Sequence, residues 1–205
     1  GTRPLLMRSG TIRFTTSMKF AIALIAMFTI GGISGITHAS PPSDLQQTDT
    51  YYIVAHFHYV LFGGSIMGLF AGIYHYFPKM YGRMMDEKLG TWHFWLTFIA
   101  FNLTFFPMHF AGMLGMRRRI YTYAAGQGWD TFNMISSIGA FLMVPMMLLF
   151  LYNFFKSIKW GEKVGKNPTH RGKPGSKRHL LVSDRGGVPL AVVLSAANVH
   201  DSKVF

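Results

Sequence analysis

The segment AHFHYV places two histidines, His56 and His58, inside a long apolar run. Imidazole is the commonest metal-binding side chain in proteins. It is also costly to hold in hydrocarbon, so a histidine inside a membrane-length run is a candidate functional residue. The chain has no cysteine. Disulfides and thiolate metal sites are thereby excluded, and any metal must take nitrogen or oxygen ligands. Two positions along a helix turn through about 200°, so His56 and His58 face opposite flanks. They cannot readily share one metal ion. Spacing alone leaves two readings open: each ring bonds a neighbouring helix, or each serves a separate cofactor on its own side. His75, His93 and His109 also lie in or near apolar runs, and interhelical hydrogen bonding is the expectation for them.

The elements that must position these residues are legible from composition. Half of the residues are hydrophobic, 16% are aromatic and only 14% are charged, where an average soluble domain carries about 25%. Four apolar stretches run over about 19–38, 51–77, 92–114 and 132–155. Each reaches the roughly 20 residues that a helix needs to cross a bilayer. None contains Asp, Glu or Arg, and Lys19 sits at an end where it can snorkel. Lipid offers backbone groups no partners, so full helices are expected. The predicted fold is an all-α, multi-pass transmembrane bundle of four spanning helices. Gly31, Gly32 and Gly35 give the first span a small face for close packing. Pro107 and Pro145 fall inside the third and fourth spans, where kinks are expected. GTRPLLMRSGTIRF at the N-terminus lacks the pattern of a signal peptide, and the chain reads as an excerpt of something longer.

Charge placement sets the expected orientation. The net charge is +12. Arg3, Arg8 and Arg13 precede span one; Lys79, Arg83 and Lys88 lie between spans two and three; Lys156, Lys159, Lys163 and Lys166 follow span four. The positive-inside rule puts these segments, and both chain ends, on the cytoplasmic side. The opposite loop from Ala39 to Thr50 has no Lys or Arg. The other opposite loop, Gly115 to Asp130, breaks the rule with Arg117, Arg118 and Arg119. A buried or interfacial anion clamped by these arginines would explain the exception.

After Gly161 the character changes to GEKVGKNPTHRGKPGSKRH, which is polar and basic. Two strand-like runs follow, His179–Val182 and Val188–Leu194, and Gly186-Gly187 between them suits a hairpin turn. This reads as a short soluble α/β-like tail containing a β-hairpin, attached to the membrane segment. The cluster Arg171, Lys173, Lys177, Arg178 is either a solvated loop or a contact for nucleic-acid phosphates.

Several separated motifs carry a resemblance. TDTYYIVAHFHYVLFGG closely resembles the haem-ligand helix of haem–copper oxidase subunit I. IRFTTSMKFAIALIAMFTIGGISG is similar to the helix before it. NLTFFPMHFAGMLGMRRR resembles the next helix and its loop, and WDTFNMISSIGAFLM the start of the last helix. The likeness covers about residues 9–167, with its motifs in the family's order. It implies two haems, of a type the sequence leaves open. His56 would be the axial ligand of the high-spin haem at the oxygen-reducing centre, and His58 one axial ligand of the low-spin haem. Arg118 and Arg119 match the arginine pair that binds haem propionates, which agrees with the anion inferred from orientation. Asp44 matches an acidic position near the propionates, and Asp49 one at the family's magnesium site.

The sequence also departs from the family. Thr48 stands where many members have a magnesium-binding histidine, so only Asp49 carries over to a magnesium site. Arg117 stands where proline is common. The copper ligands and the second ligand of the low-spin haem belong to helices that precede this segment in the family. No complete catalytic site is therefore expected in this chain, and alone it should not reduce oxygen. The implied function is that of the catalytic subunit of a respiratory terminal oxidase: electrons pass through haems to oxygen, coupled to proton translocation. The implied partners are the upstream half of subunit I, other oxidase subunits, the lipid membrane, and cytochrome c or quinol as electron donor. The implied location is the inner (plasma) membrane of a prokaryote.

A second resemblance covers about residues 168–205. NPT, RGK, GSKRHLLV, GVPLAVVLSAAN and HDSK look like an insertion-sequence transposase with a DDE nuclease domain. No set of catalytic carboxylates is placed on it, and the basic cluster before the strands reads rather as a solvated loop, so nucleic acid is not an expected partner. The junction falls near Lys166–Thr169. The alternative reading is a transposase fragment fused to a membrane remnant.

Overall fold

The computed structural model describes residues 13–164, together with the backbone of 176–182 and 189–196. Helix α1 (Thr16–Ala39) starts where the Thr15 hydroxyl accepts from the Met18 amide. A short helix, α2 (Pro41–Gln47), follows with prolines in its first turn, where a missing N–H costs nothing. Helix α3 (Tyr51–Leu61) carries His56 and His58 and is capped by Thr50. It runs through a π-helical turn (Phe62–Ile66) into α4 (Met67–Tyr81), which ends at Gly82 in the left-handed region, φ +64°. Asp86 caps α5 (Glu87–Met113) by accepting from the amides of Lys88 and Leu89. The last helix is α6 (Asp130–Trp160).

Four continuous helical segments, Thr16–Ala39, Tyr51–Tyr81, Glu87–Met113 and Asp130–Trp160, are long and apolar enough to cross a membrane. Each extends past at least one end of the apolar run that reveals it, because capping residues and polar end turns continue the hydrogen-bonded spiral beyond the hydrocarbon-length core.

The helices alternate in direction. At one end, Glu87 accepts from the amide and hydroxyl of Thr16 at 3.0 and 2.7 Å. Lys19 donates to Thr91 there, Arg83 donates to the Gly161 carbonyl, and Lys156 bonds Asp86. At the other end, the Tyr51 amide donates to the Met116 carbonyl, and Trp129 donates to that of Leu114. The segments 39–50 and 114–130 therefore share one end and the turn 82–86 lies at the other.

The core is aromatic. Phe20, Phe70, Phe77, Phe94, Phe101, Phe105 and Phe150 pack with Tyr59, Tyr74, Met27 and Met67. Small residues set the closest approaches. A Cβ on Gly31 would lie 2.9 Å from the Val60 side chain and 3.0 Å from the Val60 amide, and one on Gly63 would lie 2.7 Å from Met27. Much apolar surface stays outside: Ile25, Ile33, Ile36, Phe141, Leu148 and Phe155 are all exposed. A helix apolar on its outer face requires lipid or further helices around it.

The chain divides into two units, 1–162 and 163–205. In the second, β1 (Ser176–Val182) and β2 (Pro189–Ala196) pair antiparallel, from Ser176 opposite Ala196 to Val182 opposite Pro189. The Gly186-Gly187 turn, the basic cluster's Arg171 and Lys173, and the junction 166–169 lie outside the described residues.

Candidate haem-ligand site

Helix α3 holds His56 and His58 on different flanks, as their spacing requires. His56 faces α1. Its Nδ1 lies 2.9 Å from the Gly31 carbonyl oxygen and 2.9 Å from the Ser34 hydroxyl. His58 faces α5, where its ring stacks on Phe105 at 4.1 Å with 15° between planes. Its Nδ1 lies 2.8 Å from the carbonyl oxygen of Val54, one turn earlier. Both rings are half-buried.

These contacts have a chemical consequence. A carbonyl only accepts, so each Nδ1 that bonds one carries the ring hydrogen. The lone pair of a neutral imidazole then resides on Nε2. In both histidines Nε2 has no hydrogen bond among the described residues. Imidazoles that ligate metals are fixed in this way, by a second bond on the far nitrogen. Two imidazoles on different flanks of one helix, each with Nδ1 bonded and a lone pair left on Nε2, could each ligate a separate metal centre. Among the described residues no three His, Asp or Glu side chains gather as a cluster for a bare metal ion.

The arginine loop is stitched to the start of α3. Thr50 and Arg117 form an isolated antiparallel bridge, and the Arg118 amide donates to the Asp49 carbonyl at 2.9 Å. The Arg118 side chain also donates to Asp49, from Nε at 2.9 Å and from a terminal nitrogen at 2.7 Å. The anion that Arg118 meets is therefore a carboxylate of this chain, the one that sequence pairs with magnesium. Arg119 is exposed and holds φ +66°, and Asp49 holds φ +58°. Both are in the left-handed region, which non-glycine residues occupy sparingly. Asp44 sits on α2 with its carboxylate 3.6 Å from His38. Asp44, Asp49, Arg118 and the first turn of α3 thus share one end of the bundle, and Tyr51 begins about 8 Å along the axis before His56.

The remaining histidines divide. His93 is fully buried and its Nδ1 lies 3.1 Å from the hydroxyl of Tyr74 on α4, an interhelical bond. His109 lies 3.2 Å from the Phe106 carbonyl of its own helix, and its ring meets those of Tyr52 and Tyr59. His75 is exposed. Sequence reasoning gave His38 no role, yet it stands ring to ring with His56 at 5.2 Å. Its spacing from Gly31 and Gly35, seven and three residues, is the signal that could have found it.

The fold and site together are those of a helical bundle with four helices long and apolar enough to cross a membrane, one of which carries two imidazoles on different flanks. The family model for cytochrome c and quinol oxidase polypeptide I matches residues 4–142, and the chain belongs to that family. It is 49% identical over 158 residues to cytochrome c oxidase subunit 1 of Bacillus sp. (strain PS3), covering 77% of this chain and 26% of that protein. It is 51% identical over 159 residues to cytochrome c oxidase subunit 1 of Thermostichus vulcanus, covering 78% and 28%. Quinol oxidase subunit 1 of Bacillus subtilis (strain 168) is 45% identical over 157 residues, covering 77% and 24%. The chain thus spans about a quarter of the length of these relatives. A solved heme-copper terminal oxidase dimer shares the fold, with a TM-score of 0.63 at 19% identity over 72% of this chain and 27% of that one. A transposase DDE-domain model matches residues 104–205, overlapping the oxidase match over 104–142.

Proposed function

We propose that this chain supplies one axial imidazole to each of two haems in the large subunit of a haem–copper terminal oxidase. His56 would serve the high-spin haem and His58 the low-spin haem. The observation that carries the reading is the fixing of both Nδ1 atoms by backbone carbonyls, with each Nε2 free on its own flank. The haems would supply one-electron redox chemistry. The chain's residues would orient the imidazoles, exclude water with the Phe105 and Phe101 rings, and hold anionic groups at the polar end through Arg118 and Arg119. Asp44 would lie near those groups, and Asp49 is the remaining acidic position for a magnesium ion. The whole subunit would pass electrons from cytochrome c or a quinol to oxygen and move protons across a prokaryotic inner membrane, working with further oxidase subunits. Its copper ligands would lie on helices outside this chain, and residues 13–164 would not complete the reaction alone.

The test is co-expression with the preceding part of a subunit 1 relative, followed by optical spectra. His58→Ala is expected to abolish the low-spin signal and spare the high-spin one, and His56→Ala to do the reverse. Unchanged spectra in both variants would refute the assignment.

A second reading rests on the transposase match at 104–205. We infer that residues from about 168 onward derive from a DDE transposase, joined near Lys166–Thr169 to the oxidase segment. One unbroken DNA read across the junction tests this. An oxidase gene continuing without the transposase words would point to misassembly instead. A chain recovered in the soluble fraction and bound to DNA would overturn the oxidase reading itself.

A further inference from the structure

Gly31, Gly35 and His38 lie four and three residues apart, along one face of α1. The first two already touch His56: Gly31 through its carbonyl, and Gly35 so closely that a Cβ there would lie 3.0 Å from the His56 Cε1. His38 extends this stripe toward the polar end. Its ring centroid is 5.2 Å from that of His56 and 5.2 Å from that of Tyr52. Both of its ring nitrogens are buried, and neither has a hydrogen-bond partner among the described residues. The nearby Asp44 carboxylate stands at 3.6 Å, beyond hydrogen-bond length. A buried imidazole with two idle nitrogens demands an explanation.

We propose that His38 donates a hydrogen bond to a carboxylate of the haem held at His56. This rests on the haem-ligand reading of His56. A haem bound there carries two carboxylates that cannot be left in hydrocarbon. They must turn toward the polar end, where α2 and the arginine loop lie. His38 stands beside His56 on the side of α2, with ring nitrogens that make no hydrogen bond among the described residues. A buried carboxylate gains most from such charge-assisted bonds. A divalent cation between His38 and Asp44 would be a rival occupant, but those two side chains supply too few ligands, and among the described residues no third His, Asp or Glu joins them.

The experiment uses the full chain co-expressed with the preceding part of a subunit 1 relative and titrated with protohaem or with its dimethyl ester, whose carboxylates are blocked. His38→Leu is expected to weaken protohaem binding at the high-spin site about tenfold, and to leave dimethyl-ester binding unchanged. His38→Gln, which keeps a donor, should recover most of the loss. His38→Leu matching the parent with protohaem, or losing equally with both ligands, would overturn the proposal. So would a parent–Leu difference that a chelator abolishes, since that would place a cation at His38. His56→Ala separates the two levels: if it leaves the high-spin titration unchanged, the ligand reading falls and this inference with it.

Discussion

Gly31 acts at the scale of single atoms. Its carbonyl holds the Nδ1 of His56, and its missing side chain lets α1 reach the backbone of Val60. A Cβ in Gly31→Ala would meet the Val60 side chain at 2.9 Å and the backbone of Val60 and Tyr59 at 3.0 and 3.1 Å, so the facing helix must shift by a few tenths of an ångström. The expected cost is about 1–3 kcal/mol, read as a lower melting temperature in detergent together with weaker haem binding at His56. Gly32→Ala is the matched control, since a Cβ there meets nothing within 4 Å, and it should change stability by less than about 1 kcal/mol. Tyr59 gives a second test. It is fully buried and donates to the Asn102 side-chain carbonyl at 2.7 Å. Tyr59→Phe strands that carbonyl and should cost about 1–3 kcal/mol by the same measurement, with His58 spectra unchanged. The opposite facing of His56 and His58 was legible from their spacing. The nitrogen left free on each was not, because it depends on carbonyls that only a folded backbone presents.

At the scale of elements, the helix carrying the histidines is not uniform. Sequence predicts an unbroken α-helix over the second span, and the structure inserts a π turn at Phe62–Ile66, one turn beyond His58. Its glycines face α1, Gly63 against Met27 and Gly64 against Phe28. Packing against a neighbour selects the wider turn, and a single-helix pattern contains no trace of that neighbour. The polar end of α5 shows another tertiary dependence. Lys156 of α6 bonds the Asp86 carboxylate at 3.0 Å, which together with the Lys88 and Leu89 amides holds the Asp86 pKa below the ordinary aspartate value. A carboxyl group with a depressed folded-state pKa stabilises the fold above its unfolded pKa, near about 3.9. That contribution is lost as pH falls through the lower, folded value. Melting temperature should thus drop on acidification below about pH 4, and Asp86→Asn should flatten this part of the profile. The effect should be modest, because both side chains are more than a third exposed and solvent screens the pair.

Among the described residues, the first unit is a set of four apolar helices with large exposed apolar side chains on their outer faces. It should fractionate with membranes. The chain lacks cysteine, so single cysteines report sidedness cleanly. Gln46→Cys on α2 and Lys88→Cys at the start of α5 are exposed positions at opposite ends of the bundle. An impermeant maleimide should label Gln46→Cys from the outside of intact cells and Lys88→Cys only after the membrane is opened. The reverse pattern would invert the orientation drawn from the lysines and arginines. Labelling of both from one side would contradict a four-span topology.

What the sequence determined by itself is whatever local physics writes in one dimension. Runs of about 20 apolar residues specify spanning helices because lipid satisfies no backbone group. A spacing of two sends imidazoles to opposite flanks of a helix, and three adjacent arginines, Arg117 to Arg119, mark a strongly basic loop between two apolar runs. The tertiary structure decided which groups meet across helices. It paired Arg118 with Asp49 and brought Tyr74 to His93. It set His38 beside His56 and tied each candidate ligand's Nδ1 to a carbonyl. Those outcomes depend on distances between residues far apart in the chain, which close packing fixes and no local pattern encodes.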